Sequence, residues 1–147
     1  ESFFYILGVR FPKNLDLVLD CPEDLLDSCR VPSSILQPLV ENSIVHAFRE
    51  TQERKLIAVR ASRDGSLLCL SVADNGAGMD ADTVARLLAP QGQEDAASKI
   101  TGLENVIHRL RFFYPDDPSV ILIDSSPGKG TEIRMTIDTE KELCTVY

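Results

Sequence analysis

The sequence predicts an α+β fold of two layers, a mixed sheet covered on one face by helices. Three observations carry that expectation. Five short segments have the apolar or alternating character of strands. Two glycine-containing turns, RDGS at 63–66 and SSPGKG at 125–130, join four of them in pairs as hairpins. Two longer segments, 33–48 and 102–114, place apolar residues at helical spacing.

The elements follow in order. Residues 1–11 are aromatic and aliphatic at helical spacing, and Pro12 ends them. That segment reads either as a helix docking on the core or as the end of an upstream helical dimerisation and phosphoacceptor region, so the domain proper is taken as 13–147. Leu15, Leu17 and Leu19 alternate with Asp16, Val18 and Asp20 as a strand. CPED and VPSS then read as turn and entry signals. Ser33 or Ser34 caps a helix running to Phe48, with Pro38 near its first turn and Leu36, Leu39, Val40 and Ile44 on its apolar face. Residues 56–61 and 67–72 form a hairpin. A short helix covers 80–88, with Asp80 or Asp82 near its start. Residues 90–101 are small and polar without periodicity, a loop. A helix runs over 102–114 to Pro115, and strands cover 120–123 and 132–137. There is no internal repeat.

Composition narrows the function. With 147 residues the chain makes one domain with a real core. A formal net charge of -8 argues against nucleic acid and anionic membrane as partners, because a phosphate backbone needs a basic footprint. One small phosphate ligand stays open, since a helix N-terminus and a metal ion can meet its charge locally. Cys21, Cys29, Cys69 and Cys144 form no CxxC pair and read as reduced cytosolic thiols, with Cys69 a small core hydrophobe. No apolar run approaches the ~20 residues of a membrane span, and no signal peptide is evident. A start at Glu1 without Met fits a piece of a longer protein.

Four short runs carry the chemistry. DNGAGM at 74–79 follows an apolar strand. Taken alone, Asp-Asn-Gly is a turn. With Gly76 and Gly78 it also lets backbone approach a flat ligand, while Asp74 accepts from an exocyclic amine such as adenine N6 and Met79 touches the ring. In ENSIVH at 41–46, Glu41 and Asn42 are either a solvated helix edge or a base beside a carboxamide ligand for Mg²⁺. His46 lies four residues beyond Asn42 and suits phosphate, ribose or a structural role. GLENV at 102–106 opens a helix whose free N–H groups suit phosphates, with Lys99 either an added cation or an exposed loop lysine. In GKGT at 128–131, Thr131 is either a strand residue or part of a water network with Asp74. GKGT leads into a strand, so it is no Walker A loop. No hydrolase-type nucleophile and base pairing is evident.

In this order the runs resemble the nucleotide-binding boxes of the GHKL ATPase superfamily. LQPLVEN at 36–42, DNGAGM, GLENVIHRL at 102–110 and GKGTEI are most similar to the ATP-binding domain of bacterial sensor histidine kinases of the YesM/LytS type. The resemblance covers residues 11–137 and implies the Bergerat sandwich with an ATP-lid loop. It implies ATP and Mg²⁺ as cofactors, with Glu41 as catalytic base and Asn42 on the metal. It places Asp74 on adenine, Gly76, Gly78 and Met79 around the base, and His46, Lys99, Gly102, Leu103 and Thr131 about the nucleotide. It further implies a phosphoacceptor helical domain of the same homodimeric protein, a response regulator as phosphate acceptor, and a cytoplasmic domain on a membrane-anchored sensor. Two positions depart from the family pattern: Ala47 stands where glycine often follows the histidine, and Ile100 where glycine precedes Gly102 by two. His46 and His108 both lie inside the domain, so the phosphoacceptor histidine is not in this sequence. Two other readings stay open: an ATP-dependent serine kinase of the anti-sigma type, and a degenerate interaction module without nucleotide.

Overall fold

The structure, a computed structural model, describes residues 14–28, 33–48, 54–89, 102–115 and 117–140. The expectations for 1–12, for the 90–101 loop with Lys99, and for Cys29 and Cys144 fall outside them.

A five-stranded sheet carries the fold in the order β1-β2-β3-β5-β4. The strands are β1 (Leu15–Asp20), β2 (Lys55–Asp64), β3 (Leu67–Asp74), β4 (Ile121–Ser126) and β5 (Gly130–Asp138). β1 runs parallel to β2, with Leu17 opposite Ile57. The other pairings are antiparallel, so the sheet is mixed. Both expected hairpins form, β2–β3 and β4–β5; β2, β3 and β5 extend beyond their predicted bounds, while β4 starts one residue later than predicted and runs on to Ser126.

The helices are α1 (Glu23–Ser28), α2 (Ser33–Asn42), α3 (Ala81–Leu87) and α4 (Gly102–Phe113). α1 lies where CPED was read as a turn. Its first turn carries Glu23 and Asp24, which suit the positive end of the helix dipole, and it buries Leu25. Asp80 is the N-cap of α3 and accepts from the Thr83 N–H at 2.7 Å, which holds its carboxyl below the usual range. α2 departs from expectation twice. Pro38 sits inside the helix, past the first turn, so one backbone hydrogen bond is forgone. The α-helix also stops at Asn42 and widens into a π segment, Ser43–Ala47. Such wide turns recur at functional sites.

Strand parity decides what faces the helices. Ile57 and Val59, then Leu68, Leu70 and Val72, then Ile133, Met135 and Ile137 point to one side and are buried. α4 meets them with Leu103, Val106, Ile107 and Leu110, spaced at i, i+3, i+4 and i+7. α2 adds Ile35, Leu39 and Val40. The same alternation corrects the expectation for Cys69. Between the inward Leu68 and Leu70, it points to the open face and is exposed. Ion pairs on that face, Arg60 to Asp20 at 4.0 Å and Arg134 to the half-buried Glu132 at 3.4 Å, lie at the surface and contribute little stability.

Leu39 joins the two helices to the sheet and has no exposed surface. Leu39→Ala is expected to lower unfolding free energy by about 2–5 kcal/mol, read from urea denaturation. A change below about 1 kcal/mol would mean the α2 packing is not as described.

Candidate functional site

The site is built on the last residue of β3. Asp74 shares the inward face with Leu70 and Val72 and stands opposite Thr131 of β5. Its Oδ1 accepts from the Gly76 N–H at 2.9 Å and the Thr131 N–H at 3.3 Å. Its Oδ2 accepts from the Ser43 hydroxyl at 2.9 Å. Burial pushes the carboxyl above its ordinary value, and the hydrogen bonds from Gly76, Ser43 and Thr131 oppose that push without cancelling it. Among the described residues the buried polar side chains are Ser43 and Thr131, and both residues bond to Asp74.

The 74–79 loop is held from two sides. On the helix side, the Ala77 N–H donates to the Ala47 carbonyl at 2.6 Å. Gly76 lies so close to Ala47 that a Cβ there would run into the Ala47 carbonyl oxygen and stand 2.5 Å from the Ala47 Cβ. Ala47 is thus accommodated by a glycine across from it. On the hairpin side, the Gly128 N–H donates to the Ala77 carbonyl at 2.6 Å, and the Met79 N–H donates to Ser125 Oγ at 2.8 Å. Ser125 Oγ also donates to the Gly130 carbonyl at 3.1 Å and shares a 2.8 Å bond with Thr131 Oγ1. Ser125 has one proton, so when Gly130 takes it, Thr131 is the donor in the shared bond. Asn75 turns away from the site. Its Oδ1 accepts from the Leu56 N–H at 2.8 Å and its Nδ2 donates to the Arg54 carbonyl at 3.1 Å, which fixes the start of β2.

In front of Asp74 lies a cavity of about 230 Å³. Asn42, His46, Asp74, Gly78, Met79, Leu103 and Thr131, all singled out in the sequence, line it. Ala47, Thr83, Arg86, Leu87 and Glu104 line it as well and were not foreseen. α3 carries three of these, and nothing in its sequence marks it as more than an amphipathic helix. Ser125, also unforeseen, reaches the site only through strand pairing. Three of the residues named from the sequence, Glu41, Gly76 and Gly102, do not line the cavity. Glu41 is exposed, takes a 2.8 Å hydrogen bond from Gln37 Nε2 and lies outside the cavity wall. Gly76 acts through its backbone, beneath Asp74. Gly102 is outside the wall too, at the first residue of α4, with its Cβ position 3.3 Å from Pro38 Cβ.

Among the described residues no cluster of three or more His, Cys, Asp or Glu could hold a metal ion. Asn42 offers one carboxamide oxygen at the cavity. That donor set fits Mg²⁺, which keeps several waters and takes its other oxygens from phosphates.

Residues 31–141 match the family described as "Histidine kinase-, DNA gyrase B-, and HSP90-like ATPase". The chain belongs to this family. This ATPase domain is 32% identical over 143 residues to the sensor histidine kinase YesM of Bacillus subtilis (strain 168), 97% of the chain and 23% of YesM. It is 28% identical over 141 residues to the sensor histidine kinase YpdA of Escherichia coli (strain K12), 96% of the chain and 23% of YpdA. It is 30% identical over 144 residues to the sensor protein LytS of Bacillus subtilis (strain 168), 96% of the chain and 23% of LytS. The chain therefore spans about a quarter of the length of these relatives. Among solved structures, the catalytic domain of histidine kinase ThkA superposes with TM-score 0.61 at 17% identity, over 94% of this chain and 88% of that one. The histidine kinase domain of the Erythrobacter litoralis EL346 blue-light activated histidine kinase superposes with TM-score 0.61 at 15% identity, over 92% and 57%. The α+β sandwich read from the sequence is the fold of these catalytic domains.

Proposed function

We propose that the domain binds Mg-ATP in the cavity before Asp74. In the full-length protein it presents the γ-phosphoryl group to a histidine of an adjoining helical domain in the same homodimer, for two-component signalling to a response regulator. The observation that supports this best is the state of Asp74. Three donors hold its carboxylate in place at the wall of a partly apolar cavity, an arrangement suited to accept from the adenine amine. Met79, Leu87 and Leu103 supply apolar surface for the ring, and Thr131 closes the wall beside Asp74. The volume is below the ~300–1,000 Å³ usual for whole ligands, so it suits base and sugar, with the phosphates passing toward Asn42 and the start of α4.

Asn42 would hold Mg²⁺ and His46 lies beside the same wall. Bound Mg²⁺ would screen the phosphate charge. Glu41 is assigned the base role only for a phosphoryl group at the cavity mouth, since it stands outside the wall. Phosphoryl transfer needs chiefly positioning and charge stabilisation from the protein, and the loop clamps supply the positioning. No helix among the described residues is long and apolar enough to cross a membrane. The proposed setting is a cytoplasmic domain carried by a membrane-anchored sensor.

Calorimetric titration with ATP checks this reading. Saturable binding is expected, weakened about tenfold when Mg²⁺ is chelated, and Asn42→Ala is expected to lose most of that Mg²⁺ dependence. The isolated chain is expected to form no phosphohistidine. Absence of heat at millimolar ATP together with no thermal stabilisation by ATP would overturn the proposal.

A further inference from the structure

We propose that Arg111, which lies outside the cavity wall, is the positioning residue that holds α3 against the nucleotide site. The inference rests on the nucleotide reading above and deepens it. α3 contributes Thr83, Arg86 and Leu87 to the cavity, yet it has no buried residue of its own. A helix of 7 residues is too short to be stable on its own hydrogen bonds, so its position depends on what ties its ends. At the N-terminal end the ties are the Asp80 cap and the Met79 N–H on Ser125 Oγ. Leu87 and Leu88 pack against the core while staying only partly buried. At the C-terminal end the tie is Arg111, whose Nη1 donates to the Ala89 carbonyl at 3.1 Å.

The two partners differ in rigidity, and that decides which one moves. Arg111 follows Leu110, which has no exposed surface, in a helix that also buries Leu103, Val106 and Ile107. Its root is therefore fixed in the core. Ala89 follows the last turn of α3, where the Leu88 N–H donates to the Val84 carbonyl and the Ala89 N–H to the Arg86 carbonyl. Carbonyls at that end carry the negative pole of the helix dipole, and a guanidinium satisfies one of them with a charge-assisted hydrogen bond. The bond is part-buried, so water and salt screen it less than the surface ion pairs of the open sheet face. Without it, α3 keeps its ties at the Asp80 end and swings at the Leu87 end, and Leu87 draws away from the base.

The test uses Arg111→Met, which keeps an apolar stem and removes the donors, and Arg111→Lys, which restores a cationic donor. ATP affinity is measured by calorimetry, and amide hydrogen exchange is followed residue by residue without nucleotide. Arg111→Met is expected to bind ATP about fivefold to tenfold more weakly, and Arg111→Lys to recover to within about threefold of the wild type. In Arg111→Met the Leu88 and Ala89 amides should exchange about tenfold faster, with the Leu110 amide unchanged. Wild-type affinity in Arg111→Met overturns the inference. So does a weakening accompanied by no change at Leu88 and Ala89, or by equal acceleration at Leu110, the mark of a general loss of stability. A wild type that binds no ATP removes the nucleotide reading and this role with it, so the two failures are distinguishable. Should Arg111→Met not fold by circular dichroism, Arg111→Gln, whose shorter side chain leaves the Ala89 carbonyl unpaired, takes its place in both measurements.

Discussion

Asp74→Asn is expected to abolish measurable ATP binding, a loss of a hundredfold or more, in a protein that folds as well as the wild type or better. The two effects have one origin. The asparagine oxygen still accepts from the Gly76 and Thr131 N–H groups, and its amide can donate to Ser43, so the local frame survives. What changes is the group offered to the base: a donor now meets the adenine amine, itself a donor. Stability moves the other way because burial holds the Asp74 carboxyl above its ordinary value. The folded state binds that proton more tightly than the unfolded chain. The carboxyl therefore favours folding in acid, and its contribution is lost as pH rises through the folded value. At neutral pH the ionised, partly desolvated group costs stability, which asparagine avoids. The melting temperature of Asp74→Asn should equal or exceed that of the wild type at pH 7, and the difference should shrink as pH falls through the raised pKa. Adenosine, free of titrating phosphates, should bind the wild type less well over that same window, as Asp74 takes up its proton. Retention of ATP affinity in Asp74→Asn would remove the carboxylate from the centre of the site.

How much of this was legible in the sequence depends on the range over which each feature is encoded. The hairpins were readable because their turns and alternating strands are local, and Asp74 was readable because DNG follows an apolar strand. Leu103 and Thr131 were placed by motif order and do line the cavity. Glu41 and Asn42 show that adjacency in sequence does not mean a shared face. Neighbours on an α-helix point about 100° apart, so Asn42 facing the cavity turns Glu41 aside toward Gln37. Cys69 is the strand version, moved to the open face by the parity of Leu68 and Leu70. Ser43 and Ser125 carried no local signal. One depends on the switch from α to π after Asn42, the other on β4 lying beside β5. Arg86 and Thr83 reach the cavity because α3 packs over it, which no periodicity reports.

The joint between hairpin and site is also where a single methyl group should do most damage. Gly130 has φ +87°, and a Cβ there would run into the Asp74 carbonyl oxygen, 2.9 Å from the carbonyl carbon and 3.0 Å from Asn75 Cα. All three are backbone atoms, so no side-chain rotation relieves the overlap. Gly130→Ala is expected to lower unfolding free energy by about 3 kcal/mol or more, summing left-handed strain and the displacement it forces. Gly128 supplies the control. It lies two residues away in the same turn at φ +79°, with nothing within 4 Å of its Cβ position. Gly128→Ala should cost strain alone, about 1 kcal/mol. Urea denaturation of the two variants separates contact from conformation, and equal losses would show that the approach of Gly130 to Asp74 is not as described. Binding gives a second reading. Thr131, the next residue, donates to Asp74 Oδ1, so displacing Gly130 moves a donor that holds the carboxylate. The folded fraction of Gly130→Ala should therefore bind ATP more weakly than Gly128→Ala, the hairpin serving as a structural arm of the nucleotide site as well as an edge of the sheet.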